Sequence, residues 1–510
     1  MTWDNSAITI ATLLPLVGAL VAALLPKGSD RPARMLGIIV TGAALVFAVA
    51  IAVGFDYGVG DGLQFELDVE WISAIGARYH VGIDGMSMAL YVLTFLLSFL
   101  CAIYTWRFVP EAGRTKAFVS LMLLLETGMA GTFIAFDLIL FFVFWELVLV
   151  PMYFLIGIWG SSNREYAAIK FFLYTIFGSI FMLLGFLGMY FRSDPHTFDI
   201  LKLQEFGAGG GFTDGFQLVV FGAVALGFAV KVPMWPFHTW LPDAHTEAPM
   251  IGSVLLAGIM LKMGPYGFIR IALPILPEGA KAFAPWIGLL AAIAIVYAAL
   301  ACLAQKDLKR LIAFSSVGHM GFVMLGIATL TEIGIQAAIF GMVAHGVITG
   351  MLFFCVGSIY DRYHTREIAT IGGGMLQKMP KLASIFTYVS IASLGLPGLA
   401  GFWGEVMALL SAFSPATELG LSTGLFRVFM VMGGIGTILT AGYFLWMLQR
   451  VNLGVLPERW EEHSFRDMLA VEWVAWLPLL VLIVVLGVFP RLVFGMSDDA
   501  VRGILSLLGG

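Results

Sequence analysis

Charge is scarce in this chain. Only 12% of its 510 residues are Asp, Glu, Lys or Arg, 60% are hydrophobic, and the mean hydropathy is +0.94. A water-soluble domain carries about 25% charged residues, so most of this chain is dissolved in lipid. Basic blocks are missing too: with a net charge of -5 and no run of Lys or Arg, nothing points to nucleic acid. Cysteine is nearly absent. Cys101, Cys302 and Cys355 stand far apart in apolar runs, with no CxxC, zinc-finger spacing or disulfide framework. That argues against iron–sulfur, attached-haem and redox-thiol chemistry, and no cofactor-binding or metal site is expected. Long polar loops are lacking as well. The largest connections, 55–84 and 192–215, run to about 30 residues at most, too short for a soluble catalytic domain. The glycines at 207, 209–211 and 372–374 follow no expected strand, so neither a dinucleotide nor a P-loop reading holds.

What is there is a series of apolar runs, each near the 20 or so residues that a membrane span needs. Fourteen can be counted, near 5–25, 34–54, 85–107, 116–134, 136–158, 167–191, 216–236, 249–272, 284–303, 308–327, 331–357, 382–411, 426–450 and 472–490. The first has an acidic residue before it and its positive charges, Lys27, Arg31 and Arg34, after it. That is a first span rather than a cleaved signal peptide. Alternate connections differ in charge: the odd-numbered ones hold seventeen Lys and Arg, the even-numbered side eight. By the positive-inside rule both termini lie outside the cytoplasm. The fold expected is an all-α polytopic membrane protein in the inner (cytoplasmic) membrane of a bacterium.

Two spans read as broken helices. Pro233 and Pro236 follow Lys231 in the seventh, and Gly395, Pro397 and Gly398 precede Glu405 in the twelfth. Proline removes a backbone donor, and in lipid such a break survives only where protein or water satisfies the freed groups. A matched pair of broken helices five spans apart suggests two inverted five-helix repeats. The expected division is 1–115 for spans 1–3, 116–272 for the first repeat, 284–450 for the second, and 451–510 for the fourteenth helix and a tail.

Ionisable groups inside spans carry the functional signal, since each costs about 2.5–3.5 kcal/mol at the centre of the bilayer. They are Glu126, Glu146, Lys231, Lys262, His319, His345 and Glu405. Glu146 stands about ten residues, roughly 15 Å, into its helix, too deep to reach an interface. Lys231, beside a break that admits water, is its natural partner. The plain alternative is a buried ion pair that only orients helices, although such pairs stabilise weakly. Lys262 is equally central. A lysine can lose its proton where arginine cannot, so one whose carboxylate partner engages and disengages is a switchable carrier; otherwise it is a packing pair. His319 and His345 titrate near neutral pH and lie on consecutive helices after the two lysines, an order that favours a relay over two isolated core histidines. Glu405 closes the series or makes an interface hydrogen bond. Nothing adjacent marks Glu126, and Lys170, near the end of its span, is expected to snorkel. The stretch holding His238, Asp243, His245 and Glu247 matches no metal motif and reads as a structured re-entrant connection near a proton entry.

Three strings resemble signatures of one family, the antiporter-like subunits of respiratory complex I. They are K-V-P-M-W-P-F-H-T-W-L-P-D-A-H-T-E-A-P (231–249), K-D-L-K-R-L-I-A-F-S-S-V-G-H-M-G (306–321) and G-I-D-G-M-S (82–87). The resemblance covers nearly the whole chain. It implies fourteen spans, two inverted five-helix repeats and proton translocation in an NADH:quinone oxidoreductase, with no redox chemistry in this chain itself. NADH, FMN, iron–sulfur clusters and quinone are expected in partner subunits, and neighbouring membrane-arm subunits are the expected partners. Carried over by motif, Glu146 and Lys231 form the functional pair, Lys262 is the central lysine, and His319 and His345 are the relay. The twelfth-helix position is lysine in the L- and N-type branches and glutamate in the M-type (mitochondrial subunit 4 type); here it is Glu405. The same resemblance leaves a multisubunit sodium/proton antiporter or a membrane-bound hydrogenase as the alternative.

Overall fold

An apolar chain in lipid must satisfy its backbone internally, and the α-helix does so within one segment. The computed structural model describes residues 3–58, 62–106 and 114–509; Arg107, counted above among the loop charges, lies outside them. Thirteen of the described helices are long and apolar enough to cross a membrane. They run Ser6–Leu24, Asp30–Gly54, Gly85–Thr105, Thr115–Ile134, Leu138–Trp159, Arg164–Arg192, Asp214–Lys231, Met250–Ile275, Pro277–Leu303, Leu308–Ala328, Glu332–Tyr363, Thr423–Val451 and Ala470–Val488. The remaining crossing, twelfth in chain order, is made by two shorter helices, Pro380–Ser393 and Gly401–Phe413.

Both expected breaks are present, and protein groups satisfy them. The seventh span ends at Lys231 and helix resumes at Trp240–Glu247. The Trp240 indole donates to the Val230 carbonyl at 2.9 Å, taking up an acceptor that the break releases. In the twelfth, Gly395 and Gly398 adopt φ of +82° and +89°, the left-handed region that other residues avoid. There the fourteenth span supplies the acceptors. Ala400 N donates to the Ile483 carbonyl at 3.0 Å and the Trp403 indole to the Gly487 carbonyl at 2.8 Å.

One hydrogen-bond device occurs twice. Asp137 caps the fifth span through the amides of Ile139 and Leu140, while Leu138 N bonds to Phe198 O and Ile200 N to Phe136 O, both at 2.8 Å. Asp307 caps the tenth span through Lys309 and Arg310, while Leu308 N bonds to Arg366 O and Ile368 N to Lys306 O, again both at 2.8 Å. Each cap therefore ties the start of one span to the segment that follows the next.

Three elements depart from the expected plain loops and tail. Residues 64–83 form an antiparallel hairpin, β1 (Gln64–Ile72) and β2 (Ala77–Ile83). Ile200–Ala208 is a short helix capped by Asp199. Arg491–Leu507 is an amphipathic helix that buries Val493, Ala500, Val501 and Ile504, and its Ser497 donates to Gln336 of the eleventh span at 2.7 Å. Its Arg and Asp residues make it too polar to read as a span.

The hairpin is held by charge. His80 places Nδ1 3.0 Å from Asp199 and Nε2 2.9 Å from Glu66. Burial works against its charge, but the two carboxylates outweigh burial and hold the imidazole above its ordinary 6.5. Burial likewise pushes Asp199 up, and His80 and the Lys202 amide bring it below 3.8. The His80 contribution is complete below pH 6.5 and is lost as pH rises through the raised value; that of Asp199 is complete above 3.8 and is lost as pH falls through the lowered one. Protection of the strand amides from hydrogen exchange, corrected for intrinsic rate, is therefore expected to be greater at about pH 6 than at about pH 9. His80→Gln is expected to abolish that difference. Nearby, Arg270 of the eighth span pairs with Asp84, which also caps the third span through Ser87; burial pushes Asp84 up, but Arg270 holds it below the usual carboxylate range.

Candidate functional site

The eighth span is regular only in part. Met250–Leu255 and Leu261–Gly267 are α-helical, but Leu256–Met260 and Phe268–Ala272 are π turns. A π turn carries one residue more than an α turn and leaves a carbonyl without its usual amide. The Lys262 ammonium donates to one such carbonyl, that of Ala257 five residues back. It also lies 2.7 Å from His345 Nδ1. Lys262 is wholly buried and His345 nearly so.

With Nδ1 of His345 turned to Lys262, Nε2 faces the other way and has no partner among the described residues. The His319 ring stands 5.8 Å from it, centroid to centroid. His319 Nδ1 is 2.8 Å from Glu405 Oε1, and its Nε2 is 3.1 Å from the Ser393 hydroxyl. The second carboxylate oxygen of Glu405 is buried and has no hydrogen-bond partner among the described residues. Both histidines, Thr349, Ser393 and Glu405 line a cavity otherwise walled by apolar residues such as Phe322, Val323 and Ile348, with about 30 Å³ open to the centre of a water molecule. One water needs about 10–15 Å³ by that measure and a few polar partners; this cavity offers both. Gly404 allows the geometry, because a Cβ there would meet Gly341 Cα at 2.8 Å and push the Glu405 helix away from the eleventh span.

Four of the six site residues named from sequence therefore come together in the order Lys262, His345, His319, Glu405. The other two lie near each other without touching. Glu146 is half-buried on the fifth span. Lys231 sits 5.1 Å from the Trp145 ring centroid, and the Trp145 indole donates to Ser179 at 3.1 Å. The Glu146 carboxylate feels Lys231 and Ser179, but among the described residues no ion pair joins Glu146 to Lys231 and no hydrogen bond joins Lys231 to Lys262.

The 231–249 string is built as a clasp. Asp243 pairs with Lys170 at 2.7 Å and with Arg310 at 3.2 Å. Lys170 thus reaches a carboxylate of the same chain, not the interface alone. Glu247 accepts the Asn163 amide at 2.9 Å, and Arg366 donates to the Thr246 carbonyl at 2.5 Å. Among the described residues no three His, Cys, Asp or Glu side chains gather as metal ligands, and Cys101, Cys302 and Cys355 are free, buried thiols on three different helices. His245, read from sequence only as part of the re-entrant connection, has a setting of its own. It is wholly buried, stacks on Phe353 at 4.6 Å, has neither ring nitrogen bonded among the described residues, and feels both Lys309 and Lys262. Its signal in the sequence was masked by the clasp around it.

The family described as NADH:quinone oxidoreductase/Mrp antiporter, transmembrane, matches residues 135–431. NADH-quinone oxidoreductase subunit M of Rhodobacter capsulatus is 42% identical, with 98% of this chain and 96% of that protein aligned. A chain 4 of the NAD(P)H-quinone oxidoreductase of a Synechococcus species is 39% identical over 98% of this chain and 94% of its own length. Among solved structures, a chain of respiratory complex I from Thermus thermophilus superposes with a TM-score of 0.85 at 29% identity, covering 99% of this chain and 100% of that one. A chain of the Mrp complex of a Dietzia species superposes at 0.83 with 21% identity over 100% of both chains, which shows a shared fold alone.

Proposed function

This chain belongs to the NADH:quinone oxidoreductase/Mrp antiporter membrane family, and from that premise we propose that it moves protons along its buried line of Lys, His and Glu residues. It is a multi-pass, proton-translocating membrane subunit of NADH:quinone oxidoreductase, partnered by other membrane-arm subunits. The carrying observation is the run from Lys262 through His345 and His319 to Glu405, closed by contacts of 2.7 and 2.8 Å and one water-sized cavity. A proton released by Lys262 has an acceptor at His345, a water site beyond it, then His319 and its carboxylate. Glu146 and Lys231 form the second, more open part of the line. A change in their separation alters the field at Lys262, and that is where energy from the partner subunits enters. Electron transfer from NADH to quinone, with FMN and iron–sulfur clusters, takes place in those partners.

The repeated cap supports two inverted repeats. Asp137 and Asp307 perform the same bonding five spans apart, an odd number, so the chain crosses in the opposite direction at the second. The excess of Lys and Arg on odd-numbered connections supports both termini on the outer side.

Sodium antiport is the rival reading. NADH-driven acidification of vesicles that carry the whole complex is expected to proceed in sodium-free medium and to be unaffected by a sodium ionophore. Pumping that needs sodium would favour the rival.

A further inference from the structure

Glu126 stands apart from the line described above. It lies on the fourth span, wholly buried, and neither carboxyl oxygen has a hydrogen-bond partner among the described residues. Gly128, two residues on, faces the fifth span, where a Cβ would meet Val148 and the Phe144 carbonyl. Two residues turn a helix by about 200°, so Glu126 points away from the fifth span and from Glu146. Its electrostatic neighbours are Tyr91 and Cys101 of the third span. Ser98 falls on that same helix face, seven residues after Tyr91 and three before Cys101, and its hydroxyl is also buried without a partner. Two unpartnered groups in one seam can make one hydrogen bond that neither makes now. Each carries its desolvation penalty in full, and an ionisable group held at that penalty inside a membrane marks a functional site.

Two separate pairs of hydroxyls lie toward the hairpin end of the same seam. The Tyr91 hydroxyl shares a 2.8 Å hydrogen bond with Thr12 of the first span and lies 3.2 Å from the Ile8 carbonyl. One turn nearer the end of the first span, Thr9 accepts from the Tyr79 hydroxyl of β2 at 3.2 Å, and both of these residues are only half-buried.

We propose that Glu126 is a second proton-binding site, exchanging its proton along the seam of the first, third and fourth spans by way of Tyr91 and Thr12 toward Thr9 and Tyr79 at the hairpin face. A buried carboxyl that makes no hydrogen bond or ion pair among the described residues favours its neutral form. One proton leaves it and one returns; only O–H bonds are made and broken, and no electron moves. The inference rests on the proton-translocating reading above, and its test separates the two.

The test uses the whole complex in membrane vesicles, with NADH-driven pumping and infrared difference spectra recorded on the same preparations. In the wild type, turnover is expected to bleach a deuterium-sensitive C=O band of a protonated carboxyl. Glu126→Gln is expected to lack that band and to pump at least about threefold more slowly, with partial recovery in Glu126→Asp. Unchanged pumping together with an unchanged difference spectrum would overturn the proposal and leave Glu126 an inert neutral acid. If Glu126→Gln fails to assemble, Tyr91→Phe carries the test: pumping slowed about threefold supports the route, and a wild-type rate overturns it. Glu146→Gln in the same vesicles separates the claims. If it pumps normally, the reading of the main line fails. If it stops while Glu126→Gln runs as wild type, only the side route fails.

Discussion

Replacing Lys262 with alanine is expected to lower coupled proton pumping by roughly tenfold or more, with quinone reduction falling alongside it. Lys262 is wholly buried and is the sole side-chain partner of His345 Nδ1 among the described residues. Alanine cannot hold a proton, and it leaves the Ala257 carbonyl of the π turn and the His345 ring without the donor that joins them. Assembly is expected to survive, because the substitution removes a buried charge rather than stranding one. Lys262→Arg sharpens the test. Arginine keeps the charge but does not release its proton in a protein, so a carrier role predicts loss in both variants, whereas a packing role predicts rescue by arginine. Pumping and turnover in assembled complex, measured for both variants, decide between them.

A comparable loss is expected from Glu146→Ala, for a different reason. Glu146 is the carboxylate that the Lys231 cation feels, and Lys231 rests over the Trp145 ring with no ion-pair partner within 4.0 Å among the described residues. That separation leaves the pair free to close and open, which a tight salt bridge would resist. Moving one charge against 100 mV requires about 2.3 kcal/mol, and in the proposed mechanism that energy enters from the partner subunits as a displacement of charge. Without the Glu146 carboxylate Lys231 loses the one counter-charge it feels among the described residues, and the field at Lys262 is expected no longer to vary with the state of the partners. Glu146→Gln keeps the shape and is expected to fail equally; Glu146→Asp is expected to retain part of the activity.

The spans were legible because lipid leaves a simple trace, about twenty apolar residues between charged turns, and Pro233, Pro236, Gly395 and Gly398 marked both breaks. The membership of the line was legible too, since a lysine or glutamate inside an apolar run has few innocent explanations. Its connectivity was not. Nothing in A-G-I-M-L-K-M-G-P-Y-G announces a π turn, because one extra residue per turn is a property of packing, not of composition; yet that turn supplies the carbonyl that orients Lys262. His245 was hidden because sequence shows its charged neighbours but not that Asp243 is held by Lys170 and Arg310, which leaves the histidine alone against Phe353. The repeated cap rests on a shared Asp-Leu dipeptide, 137–138 and 307–308, too short to notice before the hydrogen bonds are seen. The hairpin and the last helix were missed since neither carries an apolar run long enough to stand out, and both draw their order from contacts with distant spans.

The most direct test of the central claim is NADH-driven proton pumping in vesicles that carry Glu146→Ala, with assembly of the complex verified on the same membranes. The account predicts that an assembled complex loses both pumping and coupled turnover. Normal pumping from the assembled variant would contradict it and reduce this chain to a scaffold for the arm.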